Sequence, residues 1–391
     1  MKRTKISLDK NFVIFFGAVI IVLLVICWSL LGNLIKTYSV LAPSPRKIIS
    51  SSLPVELLWQ IKVDEPINKF PIVTDNLVVV ATDRAIYGLA IATGQKLWEH
   101  IPDHRTSLAP TISAMKVIYG SRNGQITTLD MTTGEVIWQR KIREAGISDI
   151  TSLVATDELV YVATQPTGIG AIELQSGEIK WWVAGAEHNI PGRAARLFLG
   201  NNELYLFTTG LHVLDPLTGV IKRSVPQNIK PAQLVRNRFY ASRWVREVKT
   251  LKLITELISP SYQFLKGSCE SFRLPYTFSE DQFYAVGQCG GVYALDIKSN
   301  QIIWGYREDI GAQSSTDIYE GNLYVLFDDG EIHAIDLQTG QEQGVLKTNL
   351  DIPGSVRNAS FLSRGIVANE NVLIITFNDE NVWAFCERPC F

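Results

Sequence analysis

The residues of this chain that could carry chemistry mostly recur in one pattern. Asp130, Glu173, Asp215, Asp296 and Asp336 each stand four residues before Gly134, Gly177, Gly219, Asn300 and Gly340, with Thr133, Ser176, Thr218, Ser299 or Thr339 just ahead of that turn residue. Carboxylates can serve as general acids and bases. At this fixed offset, however, they are placed to accept hydrogen bonds from turn amides and from the neighbouring hydroxyl. They read as turn braces, not catalysts, and Ala90 breaks the pattern ahead of Gly94. His100, His104, His188, His212 and His333 lack metal-site spacing, and in "HIPDH" Pro102 separates the first two. No phosphate-cradling glycine loop or nucleophile elbow occurs. No catalytic, cofactor-binding or metal-binding residue is therefore expected.

Two other groups stand out. Cys269, Cys289, Cys386 and Cys390 are candidate disulfides, with Cys386 and Cys390 in the terminal "CERPC" and Cys269 and Cys289 inside one repeat unit. The stretch "RNRFYASRWVREVKTLKL" carries Arg236, Arg238, Arg243, Arg246, Lys249 and Lys252 against Glu247. It is a candidate surface for an acidic partner, an anionic glycan or lipid headgroups. Alternation along a strand allows the opposite reading, in which some arginine stems pack inside the fold.

The elements that must position these groups are repeats. The turn residues Gly94, Gly134, Gly177, Gly219, Asn300 and Gly340 are spaced 40, 43, 42, 81 and 40 residues apart, so a degenerate unit with a lost turn near 259 is expected within the double interval. "RFYASRW" and "VREVKTLKL" are its expected strands. Each regular unit holds an alternating strand ending in the acid, the turn, and a second strand leading to a tryptophan. Pairs such as Asn123-Gly124, Asp329-Gly330 and Gly290-Gly291 mark a further hairpin upstream. The expected fold is all-β: an eight-bladed β-propeller of four-stranded antiparallel blades. The ends of the chain supply the closing blade, with "NVWAF" (381–385) as an inner strand and "ELLWQIKV" (56–63) as the outer one. Trp59, Trp98, Trp138, Trp181 and Trp304 occupy one equivalent position, replaced by Arg223 and Gly344 in two units, and are expected to dock one blade on the next.

Ahead of the repeats, residues 11–35 contain no charged side chain, long enough for one transmembrane helix. Lys2, Arg3, Lys5 and Lys10 precede it, which points to a cytoplasmic N-terminus. An uncleaved signal anchor is the reading adopted. A cleaved signal peptide would leave after "VLA" at Ala42, just before Pro43, and a lipoprotein signal would use Cys27. The expected layout is a cytoplasmic N-terminus (1–10), an anchor (11–35), a linker (36–55), the propeller (56–386) and a tail (387–391). A net charge of −2 supplies no bulk attraction to nucleic acid.

The motif [DE]-x-x-[TS]-G-x-x-x-W in blades of about 40 residues resembles the pyrroloquinoline-quinone (PQQ) repeat of quinoprotein-type propellers, over residues 56–386. That family includes alcohol dehydrogenases that bind PQQ and calcium, and a non-catalytic branch with the outer-membrane assembly lipoprotein of the β-barrel assembly machine. The adjacent cysteine pair typical of the dehydrogenases is missing from this chain. The resemblance therefore implies a non-catalytic interaction scaffold without cofactor, a monomer or one subunit of a complex. It would be a single-pass membrane protein acting outside the cytoplasm on other membrane or envelope proteins. A PQQ- and calcium-dependent dehydrogenase is the alternative.

Overall fold

The computed structural model describes residues 48–142, 149–165, 168–184, 196–225, 233–235, 238–241, 244–247, 253–256, 272–287, 290–307, 312–327, 331–348, 363–377 and 380–387. The expected anchor, 11–35, lies outside them; among the described residues no helix is long and apolar enough to cross a membrane. The chain divides into residues 1–47 and 48–391, and the described residues all belong to the second unit.

That unit is all-β. Its strands form eight antiparallel sheets, numbered here as blades 1 to 7 (72–100, 111–141, 149–184, 196–225, 233–256, 272–306 and 312–348) and blade 8, which joins 363–386 to Glu56–Lys62. Every blade has four strands, in chain order in blades 1 to 7, and blade 7 has a fifth, Ile48–Ser51, paired with Glu342–Thr348. This last strand falls within the stretch expected as linker.

The second strands explain why the repeats must stack. Leu77–Ala81 is buried along its whole length. Val78 and Val80 enter a core shared with blade 8, while Leu77, Val79 and Ala81 enter one shared with blade 2. A period-2 strand that is apolar on both faces needs a neighbour on each side. Among the described residues, eight buried clusters each unite two consecutive blades, and one of them joins blade 7 to blade 8. The succession closes on itself as in a β-propeller. First strands touch first strands, as Ala312–Tyr319 does Ser363–Ala368, so they are innermost and the fourth strands form the rim.

Closure follows the expected pairing: Trp59 stands opposite Ala384 and Gln60 opposite Trp383. "NVWAF" lies on the inner side of Glu56–Lys62 as the third strand of its blade, and the innermost place is held by Ser363–Ala368. The degenerate unit is corrected. "RFYASRW" divides into Arg238–Ala241 and Trp244–Glu247, and the fourth strand is Leu253–Glu256. Val245 pairs with Thr255 as Gly88 pairs with Trp98, which puts Glu247 at the acid position and Thr255 at the tryptophan position. Counting four residues from Glu247 reaches Leu251, so the lost turn lies near 251 and not 259. The shift arises because the strands of blade 5 are short, with 3, 4, 4 and 4 residues, so that all four fit within 233–256.

Candidate interaction surface

In all eight blades the register between third and fourth strands slips by one residue just before the tryptophan position. A bulge of this kind re-aims the following side chain. Here it directs each indole at the next blade. Trp59, Trp98, Trp138, Trp181 and Trp304 donate their Nε1–H to the carbonyls of Ile91, Met131, Leu174, Pro216 and Leu337, at 2.7, 3.0, 2.9, 3.0 and 3.0 Å. Each acceptor is the residue just after the acid position of the following blade. Each of these five indoles thus contacts the blade that follows its own.

The same indoles lie over the turns. A Cβ on Gly94, Gly134, Gly177, Gly219 or Gly340 would meet the ring of Trp59, Trp98, Trp138, Trp181 or Trp304 at 2.4 to 2.7 Å, and these glycines have φ between 69 and 72°. The glycine is thus demanded twice, by backbone conformation and by the neighbour's ring. Where the preceding blade lacks tryptophan, the glycine is absent as well. Blade 4 has Arg223 and is followed by Leu251; blade 5 has Thr255 and is followed by Asn300, whose φ is 59°.

The acids brace the turns. Asp336 accepts from the amides of Gln338 and Thr339 at 3.1 and 2.8 Å and from the Thr339 hydroxyl at 2.7 Å. Asp215 and Asp296 do the same with Leu217 and Thr218, and with Lys298 and Ser299. Asp130 takes the Thr132 hydroxyl in place of the expected Thr133. Glu173 accepts from the Ser176 hydroxyl. Hydrogen bonding to the ionised form holds all five below the ordinary carboxylate range; for Asp215 the leading cause is Lys222, for Asp296 the Ser299 amide, and for the others a side-chain hydroxyl.

Within the basic stretch, Arg238 is the residue whose contact is described. Arg238 is half-buried, and its Nη1 donates to the Ile297 carbonyl at 2.6 Å. Ile297 follows the acid Asp296, so this guanidinium makes the tie that an indole makes at five other seams. Arg238 joins blade 5 to blade 6 and is not a free docking group. Arg246 sits on Trp244–Glu247 opposite Phe239. Arg236, Arg243, Lys249 and Lys252 lie outside the described residues.

The histidines belong to local networks. His100 meets the Tyr119 hydroxyl at 2.7 Å and His212 the Ser224 hydroxyl at 2.9 Å, and burial lowers the pKa of both. His333 accepts from Arg307 at Nε2 (2.8 Å), which leaves Nδ1 to donate to Glu342 (2.9 Å). Among the described residues no group of His, Cys, Asp or Glu is arranged to hold a metal ion. Cys386 is buried and disulfide-bonded, while Cys269, Cys289 and Cys390 lie outside the described residues.

One structural element was missed from sequence, the strap that enters the ring. The Ser52 amide and hydroxyl bond the Val345 carbonyl, and the Val345 amide donates to Ser52 Oγ at 3.0 Å. A Cβ on Gly344 would lie 2.1 Å from the Ser52 carbonyl oxygen. Gly344 at a tryptophan position was the available signal: the chain itself occupies the space an indole would fill. Beside the strap an open groove is lined by Ser51, Leu53, Pro54, Val55, Glu56, Leu57 and Phe385.

Comparison with known proteins agrees with this architecture. A family model described as outer membrane protein assembly factor BamB matches residues 54–224 and 267–387. The unmatched interval contains blade 5. The BamB of Yersinia pestis is 27% identical over 140 residues, covering 32% of this chain and 36% of the relative. The aligned stretch thus spans about a third of that relative's length. The crystal structure of BamB from Moraxella catarrhalis superposes with a TM-score of 0.60 at 16% identity, over 86% of this chain and 98% of that one. A quinohemoprotein alcohol dehydrogenase from Pseudomonas putida gives 0.59 at 10% identity, over 85% and 76%. At such identities the structural likenesses speak for the fold alone.

Proposed function

The chain belongs to the family of outer membrane protein assembly factor BamB, and from that premise we propose that it is a non-catalytic, membrane-anchored interaction scaffold serving envelope protein assembly. The observation that carries the proposal is how the recurrent polar residues are used. The repeat acids hold turns and the repeat indoles hold seams, so the most chemically capable residue types serve rigidity. A rigid ring with varied loops is suited to holding partners in place.

In this reading residues 1–10 are cytoplasmic, 11–35 anchor the protein, 36–55 lead from the anchor into the ring with Ile48–Ser51 paired on blade 7, 56–386 form the propeller outside the cytoplasm and 387–391 end it. The uncharged run at 11–35 and the basic residues before it support the anchor. Partners are other membrane or envelope proteins, engaged as a subunit of a complex. Arg236, Arg243, Arg246, Lys249 and Lys252 remain candidates for that contact, with Arg238 serving the seam. Crosslinking in intact membranes followed by purification of the full chain tests the reading. Recovery of outer-membrane assembly components is expected. Stoichiometric PQQ binding in the presence of calcium, with dye-linked alcohol oxidation, would replace it with the dehydrogenase alternative.

A further inference from the structure

In blade 8 the position of the bracing acid is taken by a cysteine. Phe385 pairs with Leu373 as Leu295 pairs with Phe283 and Ile335 with Leu323, so Cys386 stands where Asp296 and Asp336 stand. Four residues on, at the place of the turn residue, the sequence has Cys390. Blade 8 cannot form the usual turn, because its fourth strand, Glu56–Lys62, comes from the far end of the chain.

Cys386 is disulfide-bonded, and strand geometry narrows its partner. Cys269 lies three residues before Phe272, and Cys289 two residues after Gly287. Phe272 and Gly287 pair at the end of blade 6 opposite to that where third strands finish. Phe272–Phe278 spans roughly 20 Å at ~3.3 Å per residue. Three residues of chain reach at most about 11 Å. Phe272 and Gly287 belong to a blade two places away, and two or three residues of chain from them are too short to span that gap to the ~7 Å Cα separation that a disulfide tolerates. Cys27 lies within the uncharged run 11–35.

We infer that Cys386 is bonded to Cys390, and that this disulfide replaces the acid, hydroxyl and glycine brace in the one blade whose turn is interrupted by the chain ends. It ties off the strand that closes the ring. Its formation takes two electrons and two protons from the thiols, accepted by the disulfide of a thiol oxidase, which becomes a dithiol. The closing blade therefore matures where such exchange runs, outside a reducing cytoplasm. This inference does not rest on the assembly role, but its exclusion of Cys27 rests on the anchor proposed for 11–35.

Peptide mapping of the full chain, alkylated and digested without reduction by a protease that cuts after glutamate, is decisive. Cleavage after Glu387 should leave a fragment ending in Cys386-Glu387 joined by a disulfide to one beginning at Arg388. Linkage of Cys386 to Cys27, Cys269 or Cys289, or an alkylated Cys390, would overturn the pairing. Cys390→Ser should lower the melting temperature by roughly a few degrees and speed amide exchange in Asn381–Cys386 and Glu56–Lys62, while exchange in blades 2 to 4 stays unchanged. Reduced wild type should behave the same. If neither the melting temperature nor exchange responds, the bond does not secure the ring.

Discussion

The seam between blades 1 and 2 and the seam between blades 5 and 6 solve one packing problem with different parts. At the first, Trp98 bonds the Met131 carbonyl and lies over Gly134; at the second, Arg238 bonds the Ile297 carbonyl and Asn300 takes the turn with no indole above it. The glycine of a blade is thus set by its neighbour's tryptophan, not by its own turn alone. Asn300 shows that φ near 60° is open to another residue once the ring is gone. The repeat is a chain of two-residue couplings between neighbours, and where one half is lost the other drifts.

The largest test of this comparison is to remove an indole. Trp59→Ala and Trp98→Ala should each destabilise the ring by about 3 to 5 kcal/mol in denaturant unfolding, as deletion of a buried tryptophan does. Trp59 ties the closing blade to blade 1, so no shift there would mean that Glu56–Lys62 is dispensable.

Next in size is the glycine beneath. Gly134→Ala should cost about 1 to 3 kcal/mol through the Trp98 ring, plus a further strain at positive φ. In a Trp98→Ala background much of the ring contribution should vanish, and a double-mutant cycle reads that coupling directly. Asn300→Ala, with no indole to meet, should show the backbone part alone. Equal costs at the two sites would break the comparison.

Arg238→Met should cost about 1 to 3 kcal/mol, the usual penalty when a buried carbonyl loses its partner. Amide exchange should rise first in Arg238–Ala241 and Val292–Asp296, whose seam it opens. A stable variant with unchanged exchange would return Arg238 to the list of docking residues.

The smallest effect concerns pH. Hydrogen bonds to the ionised form lower the folded pKa values of Asp130, Glu173, Asp215, Asp296 and Asp336. Their contribution is complete above the ordinary carboxylate range and is lost as pH falls through the depressed values. Stability should therefore decline below about pH 4. In Asp336→Asn the decline should be shallower, measured by urea midpoints across pH. The bracing acids are half-exposed at turns, so each slope change should be modest.

The repeat, the number of blades and the closing pairing were legible in the chain because a turn acid, a turn glycine and an indole are demanded locally, or by a neighbour about one period away. Their spacing alone carries the period, and the residues at 56–63 and 381–385 name each other by having no other partner. The degenerate blade was misplaced for the converse reason: with Arg223, Leu251 and Thr255 the markers fall silent together, and hydrophobic alternation has no origin from which to count.

What the sequence by itself determined was the unit and its repetition, since strand alternation and turn conformation depend on residues close along the chain. Only the tertiary structure decided where Arg238 points and why Gly344 carries no side chain. The first bonds a carbonyl 59 residues away, and the second makes room for the strap at Ser52, whose bonds to Val345 span 293 residues. Neither distance leaves a period in the sequence, because each contact arises once, from closing the ring.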